Sequence, residues 1–232
     1  LESVLTESIK VAGTANRELK LSYLGGAAIL CESVGPLDLT LQAQFWALAE
    51  VLAAWPTVDE VVPGMNNLMV VLAPDVCAPW DVLEAIEKEW PHVSPASVKG
   101  RTVDVPVNYG GEFGPDLAFV AKRANVSLED AAALHSEVDY TVYFLGAHAG
   151  FGYLGGLDPR LHTPRLEQPR MKVPAGSVAI GGVQTGIIAL TSPSGWRLIG
   201  QAEQAFFDPQ RTPPALLSPG DTLRFRINRV EA

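Results

Sequence analysis

The stretch from Phe144 to Trp196 constrains this chain more than any other. It reads FLGAHAGFGYLGGLDPRLHTPRLEQPRMKVPAGSVAIGGVQTGIIALTSPSGW. Glycine lets the backbone turn tightly or approach a ligand closely, and this stretch is dense in it. Within it three Pro-Arg pairs, ending at Arg160, Arg165 and Arg170, recur every five residues. Each proline fixes its own φ and pushes the preceding residue out of the helical region, so the arginines project from an extended, stiffened segment. A guanidinium offers a planar fork of donors that matches a carboxylate or phosphate. Two readings stand: an anion-receiving surface beside a glycine-rich, aromatic-lined pocket, or a long ordered loop whose arginines hold Asp158, Glu167 and nearby carbonyls.

The length of 232 residues suits one large domain or two modest ones, with enough apolar content for a sizeable core. No apolar run approaches the roughly 18–20 residues that span a bilayer. The opening LESVLTESIK has no basic segment followed by an apolar one, so no signal peptide is expected and a cytoplasmic location is. The formal charge is −9 and the basic residues form no long stripe, which argues against nucleic acid as a partner. Cys31 and Cys77 lie in apolar stretches without metal-like spacing and read as small buried hydrophobes of a reducing compartment.

Residues 1–18 carry little pattern and leave helix, strand or disorder open. LKLSYLG and AAILCES, broken by Gly25 and Gly26, predict two strands and a tight turn. Leu37, Leu41, Phe45, Leu48 and Leu52 repeat at the spacing of one helical face, with Pro36 and Asp38 at its start and Pro56 after its end. VDEVVPG and NNLMVVLAP predict two more strands around Gly64, and a second helix runs from about Pro79 to Trp90 with Val82, Leu83, Ile86 and Trp90 inward. The order ββαββα implies an antiparallel sheet with helices on one side. HVSPASVKG has no periodicity, which puts a boundary there and divides the chain into residues 1–95 and 96–232. In the second part TVDVPVNYG alternates as a strand. GPDLAFVAKRAN and SLEDAAALHSE predict two short helices, the latter with Ser127 as N-cap over Asp130. A strand from Tyr140 to Leu145 leads into the central stretch. SVAIGG, TGIIALT and GWRLIGQ follow as short strands, and DTLRFRIN closes the chain with Leu223, Phe225 and Ile227 facing inward against Arg224 and Arg226. Many short strands with glycine turns favour a small closed or nearly closed β-barrel, and the whole chain is assigned to the α+β class.

Absent motifs narrow the chemistry. There is no G-x-x-x-x-G-K-[ST] phosphate cradle, and neither GGVQTG nor FGYLGG sits in the strand-GxGxxG-helix context of a dinucleotide site. No G-x-S-x-G elbow occurs, and the serine of SPSGW has no matching partner set. HExxH and CxxC are missing, and the four histidines His92, His135, His148 and His162 are scattered, so no metal site is expected. His135 ends a short helix, where it reads as a histidine bonded to the next strand or as a general base. On its residues alone the chain looks like a binding domain or half of an enzyme.

At these residues the sequence resembles the 5-oxoprolinase B-subunit family, also known as allophanate hydrolase subunit 1, to which a sporulation-kinase inhibitor belongs. The resemblance is carried by YGGEFGPDLAFVAKRANVSLEDAAALHSEVDYTVYFLG, by GFGYLGGLDPRLHTPRLEQPRMKVPAGSVAIGGVQTGI with its Pro-Arg pairs and Val-Pro-x-Gly-Ser-Val, and by PGDTLRFRI. VVPGMNNLMVVL is a weaker match in the first part. The resemblance implies a small N-terminal α+β domain and a C-terminal cyclophilin-like barrel. It implies a homologous partner, the 5-oxoprolinase C-subunit (allophanate hydrolase subunit 2), with which a carboxyltransferase-like unit forms. It also implies ATP as a cofactor of the assembled complex, whose hydrolysis opens a lactam to the amino acid. The chain departs from the family pattern at Gly146-Ala147-His148-Ala149-Gly150-Phe151, where the family has Gly-Phe-x-Pro-Gly-Phe, and the lost aromatic and proline should loosen that turn. Pro193-Ser194-Gly195-Trp196 replaces Pro-Gly-Gly-Trp, Gly200-Gln201-Ala202 replaces Gly-Arg-Thr, and Ile188 stands where an aromatic is usual.

These readings converge on a non-autonomous subunit of an ATP-dependent amide- or lactam-cleaving enzyme, with a regulator of a sensor histidine kinase as the alternative. A cyclophilin-like barrel alone would not carry prolyl isomerase activity with it. Arg165 and Arg170 are expected to contact an anionic group or the partner's side of the pocket. Phe151, Tyr153 and Trp196 should supply apolar walls, and Gln184 and His135 polar contacts. The bond-breaking residue is not legible.

Overall fold

A computed structural model of the chain describes residues 9–12, 18–33, 38–75, 78–95 and 100–232. The chain forms two compact units, residues 1–98 and 99–232. Among the described residues no helix is long and apolar enough to cross a membrane.

The first unit contains β1 (Ile9–Ala12), β2 (Glu18–Leu24), β3 (Ala28–Ser33), α1 (Leu39–Leu52), β4 (Val58–Gly64), β5 (Asn67–Leu72) and α2 (Pro79–Glu89). Its five strands form one antiparallel sheet in the order β1-β2-β3-β5-β4. The expected ββαββα is present, with β1 added at the edge from residues whose sequence pattern left the choice open. Asp38 caps α1 by accepting a 2.9 Å hydrogen bond from Leu41 N, which satisfies one of the free donors of a helix start. Alternate strand positions Leu19, Leu21, Ile29, Cys31, Leu68, Val70 and Leu72 turn to one face and meet Phe45, Leu48, Leu52, Val82, Leu83, Ile86 and Trp90. Burial of a large apolar side chain contributes about 1.5–3 kcal/mol, and these residues form the core of the unit. Buried Gln42 holds the β4–β5 turn from both sides: its amide nitrogen donates to Gly64 O at 3.0 Å and its oxygen accepts from Asn66 N at 2.7 Å. Burial pushes the Cys31 thiol up to about 12. Pro36, Leu37 and Cys77 lie outside the described residues.

The second unit contains β6 (Thr102–Gly110), α3 (Leu117–Ala124), α4 (Leu128–Ser136), β7 (Asp139–Leu145), β8 (Gly152–Gly155), β9 (Arg170–Val173), β10 (Ser177–Gly181), β11 (Gln184–Ile187), β12 (Ser192–Ser194), β13 (Arg197–Ala202) and β14 (Thr222–Glu231). Seven strands close a barrel in the order β10-β11-β8-β7-β14-β6-β13. Only the β6–β14 pairing in it is parallel. Strand residues Val105, Val107, Val142, Leu154, Val178, Ile180, Ile187, Ile199, Leu223 and Phe225 share one core with Leu117, Val120, Ala131 and Ala132 of the two helices. Ser127 Oγ accepts from Asp130 N at 3.0 Å, the expected cap of α4. Asn125, at φ 57, ends α3 in the left-handed region that asparagine tolerates.

One inward assignment is corrected. Leu223 and Phe225 are buried, but Ile227 is 43% exposed. The β14–β6 register shifts between Ile227 and Arg229, and a bulge there rotates the strand out of its period-two alternation.

Candidate functional site

Side chains on β8, β10 and β13 alternate between the barrel interior and its outside. Leu154, Ile180 and Ile199 point in, while Tyr153, Ala179 and Leu198 join Phe151, Val173, Ile188 and Trp196 in a second, smaller core on the outer surface. The two-stranded ribbon of β9 and β12 supplies the cover for that core. Phe151 meets Tyr153 edge-on at 4.7 Å and Trp196 edge-on at 5.5 Å between ring centroids, and Tyr153 stacks on Phe144 at 4.3 Å. These are favourable offset and T-shaped arrangements that fix the rings relative to one another. Gly181 is required beneath Trp196, because a Cβ there would lie 2.4 Å from the indole.

A cleft of about 210 Å³ opens beside this cluster, lined by Ala147, His148, Phe151, Tyr153, Arg165 and the run Ser192–Trp196 among others. Its rim includes the turn from Gly146 to Phe151, which departs from the resembled family. That turn is nonetheless closed: Gly146 N donates to Phe151 O at 3.0 Å, Phe151 N to His148 O at 3.1 Å, and His148 N to Gly146 O at 2.6 Å. Ala147 takes the left-handed region at φ 59, an uncommon conformation for a residue with a Cβ.

The three Pro-Arg arginines separate into three environments. Arg160 forks onto Asp158, with Nε to Oδ1 at 3.0 Å and Nη2 to Oδ2 at 2.6 Å. Hydrogen bonds from the Arg160 side chain and backbone hold the Asp158 carboxyl down at about 2. Arg170 reaches across to buried Asp116, with Nη1 to Oδ2 at 2.7 Å and Nη2 to Oδ1 at 3.1 Å. Asp116 also accepts from Leu198 N at 2.8 Å and lies 3.6 Å from Arg197 Nη1. That carboxylate therefore ties β9 to β13 and to the start of α3. Arg165 alone of the three lies over the aromatic cluster, its guanidinium carbon 5.5 Å from the Trp196 ring centroid, in the range of a cation–π contact. Phe151, Tyr153, Trp196 and Arg165 are thus brought together, and Arg170 is not among the residues that line the cleft.

His135 lies elsewhere. It is fully buried between α4 and the barrel, against Phe225 at 4.5 Å. Thr185 Oγ1 donates to Ala179 O at 3.0 Å, so it accepts from His135 Nε2 at 2.9 Å. The other nitrogen, Nδ1, then accepts from Tyr109 Oη–H at 2.8 Å. Both ring nitrogens are spent inside the core as a neutral tautomer, and burial lowers the imidazole from 6.5 to about 3. In this position His135 has nothing left to offer a ligand. Gln184 opens β11 opposite Gly181 and is not among the residues lining the cleft.

Three participants are not legible in the sequence as such. Asp116 is one of many acidic residues until the fold brings Arg170 and Leu198 to it. SPSGW offers no serine–base set, yet Ser192 and Ser194 both line the cleft, and Ser194 Oγ accepts from Trp196 N at 3.2 Å. Their signal is proximity in sequence to Trp196, which polar type alone does not distinguish from a turn.

Comparison with known proteins agrees with this architecture. Residues 19–217 match the family described as carboxyltransferase domain, subdomain C and D. The sequence is 45% identical to the 5-oxoprolinase B-subunit of Escherichia coli O157:H7 over 202 residues, covering 87% of this chain and 93% of that protein. The crystal structure of TTHA0988 superposes with a TM-score of 0.75 at 36% identity, covering 86% of this chain. This chain spans only 39% of that longer one. Urea carboxylase of Kluyveromyces lactis shares the fold at a TM-score of 0.81 and 18% identity, covering 97% of this chain and 23% of that one.

Proposed function

Because this chain belongs to the carboxyltransferase domain family, subdomain C and D, and is similar over most of its length to the 5-oxoprolinase B-subunit, we propose that it is a cytoplasmic, non-autonomous subunit of an ATP-dependent lactam- or amide-cleaving hydrolase. A homologous partner subunit completes the site. The observation that carries this reading is the cleft, in which the Arg165 guanidinium lies over Trp196, and Phe151 and Tyr153 line the same wall. A guanidinium receives a carboxylate bidentately, and the rings shed water from a small, flat body beside it. 5-Oxoproline, a five-membered lactam bearing a carboxylate, has that shape and charge. ATP bound elsewhere in the assembly supplies the driving force for ring opening. The work of this chain is to bind and orient, a contribution that raises the rate by fixing geometry before bonds change.

The reading is tested by measuring 5-oxoproline-dependent phosphate release with the chain alone, with its partner subunits, and with Arg165→Gln in the mixture. Turnover is expected only in the mixture. Arg165→Gln should raise KM by roughly ten- to a hundredfold, the equivalent of one charge-assisted hydrogen bond of about 1.5–3 kcal/mol. Turnover by the chain alone, or an unaltered KM in the variant, would reject it.

A further inference from the structure

Two residues that line the cleft each carry a side-chain polar atom that nothing in the chain satisfies. His148 Nε2 and Ser192 Oγ are each buried without a hydrogen-bond partner, and both residues line the same cleft. An unpaired buried polar group costs about 1–3 kcal/mol, and folded chains leave few of them. Two on residues that line one cavity of about 210 Å³, beside the arginine that stands over Trp196, mark a place where the protein is complementary to something other than itself.

Their chemistry is directional. The other nitrogen of His148, Nδ1, lies 3.4 Å from Ala149 O, a carbonyl that can only accept, and this contact favours the tautomer with the proton on Nδ1. Nε2 is then left with its lone pair and needs a donor. Ser192 Oγ has a proton to give. A group that donates through N–H and accepts through C=O along one edge answers both, and that is the edge of a cis amide, as in a lactam or cyclic ureide. A secondary amide in the ordinary trans form puts these two groups on opposite sides and cannot.

We infer that His148 and Ser192 are specificity-determining residues that read the N–H and C=O of a cis-amide ligand whose carboxylate is held by Arg165. The inference rests on the functional reading above and adds to it how the cleft distinguishes a lactam from other small carboxylates. His148 occupies the position that the family pattern Gly-Phe-x-Pro-Gly-Phe leaves open, between the departures at Ala147 and Ala149.

Binding of 5-oxoproline and of N-methyl-5-oxoproline, measured calorimetrically on the chain assembled with its partner, tests it. The wild-type protein should bind the lactam about five- to tenfold more tightly than the N-methyl compound, whose donor is gone. His148→Ala should abolish that preference, His148→Gln should restore part of it through its amide oxygen, and Arg165→Gln should weaken both ligands alike. Circular dichroism checks that the variants are folded, and His148→Gln serves if His148→Ala is not. If both compounds bind and His148→Ala keeps the full preference, the assignment of His148 is wrong and the functional reading stands. If neither compound binds the wild-type assembly, both fall.

Discussion

His135 and Arg165 show how surroundings, rather than residue type, decide what a side chain does. The His135 imidazole is neutral because burial penalises its charge and because Tyr109 and Thr185 use both of its nitrogens. Its folded value of about 3 lies below the unfolded 6.5, so the unfolded chain takes up the proton first. The stability tied to His135 is therefore complete above about pH 6.5 and is lost as pH falls toward 3, at a slope of up to about 1.4 kcal/mol per unit. Urea midpoints of the barrel at pH 7, 5.5 and 4.5 should decline, and His135→Gln should flatten that decline; equal slopes in both proteins would show that another group is responsible. Arginine separates likewise. Asp158 and Asp116 neutralise Arg160 and Arg170, and Arg165, a member of the same Pro-Arg series, stands over Trp196 instead. Periodicity in the sequence predicts three equivalent guanidinium groups, and neighbours brought in by folding make them inequivalent.

Elements behave more predictably, because their signals are local. Helix α4 begins at Ser127, whose hydroxyl is bonded to Asp130 N, with Glu129 and Asp130 in the first turn where acidic groups favour the helix dipole. Ser127→Ala should destabilise the barrel by about 1 kcal/mol, and Ser127→Asp should not. Thermal melts compare the two, and equal losses would point to packing rather than capping. Strand β14 is legible at Leu223 and Phe225 and not at Ile227, where the bulge against β6 is set by the partner strand. The β9–β12 ribbon is not legible at all. Its three- and four-residue strands are too short for an alternation signal, and they lie where Val173, and Trp196 just beyond β12, join the smaller outer core.

At the level of the whole molecule, each unit encloses a core of its own, one between sheet and helices and one within the barrel. Leu48→Ala, in the first of these, should cost about 2–5 kcal/mol in that unit's unfolding while leaving the proposed binding of 5-oxoproline at the cleft unaltered. Calorimetric unfolding read beside ligand titration checks this, and a parallel loss of binding would show the two cores to be energetically joined.

Hydrophobic period, caps and turn residues are properties of neighbouring positions, and from them the α+β class, both helix pairs and most strands follow without knowledge of the fold. The resembled motifs added the family. What required the folded chain is everything that depends on residues distant in sequence. Asp116 meets Arg170 across fifty-four positions, and His135 meets Thr185 across fifty. His148 and Ser192, each with an unpartnered side-chain atom, come to line one cleft only in the folded chain. Local preference is encoded along the chain, whereas charge pairing and desolvation are decided only by which groups closure of the barrel brings within reach.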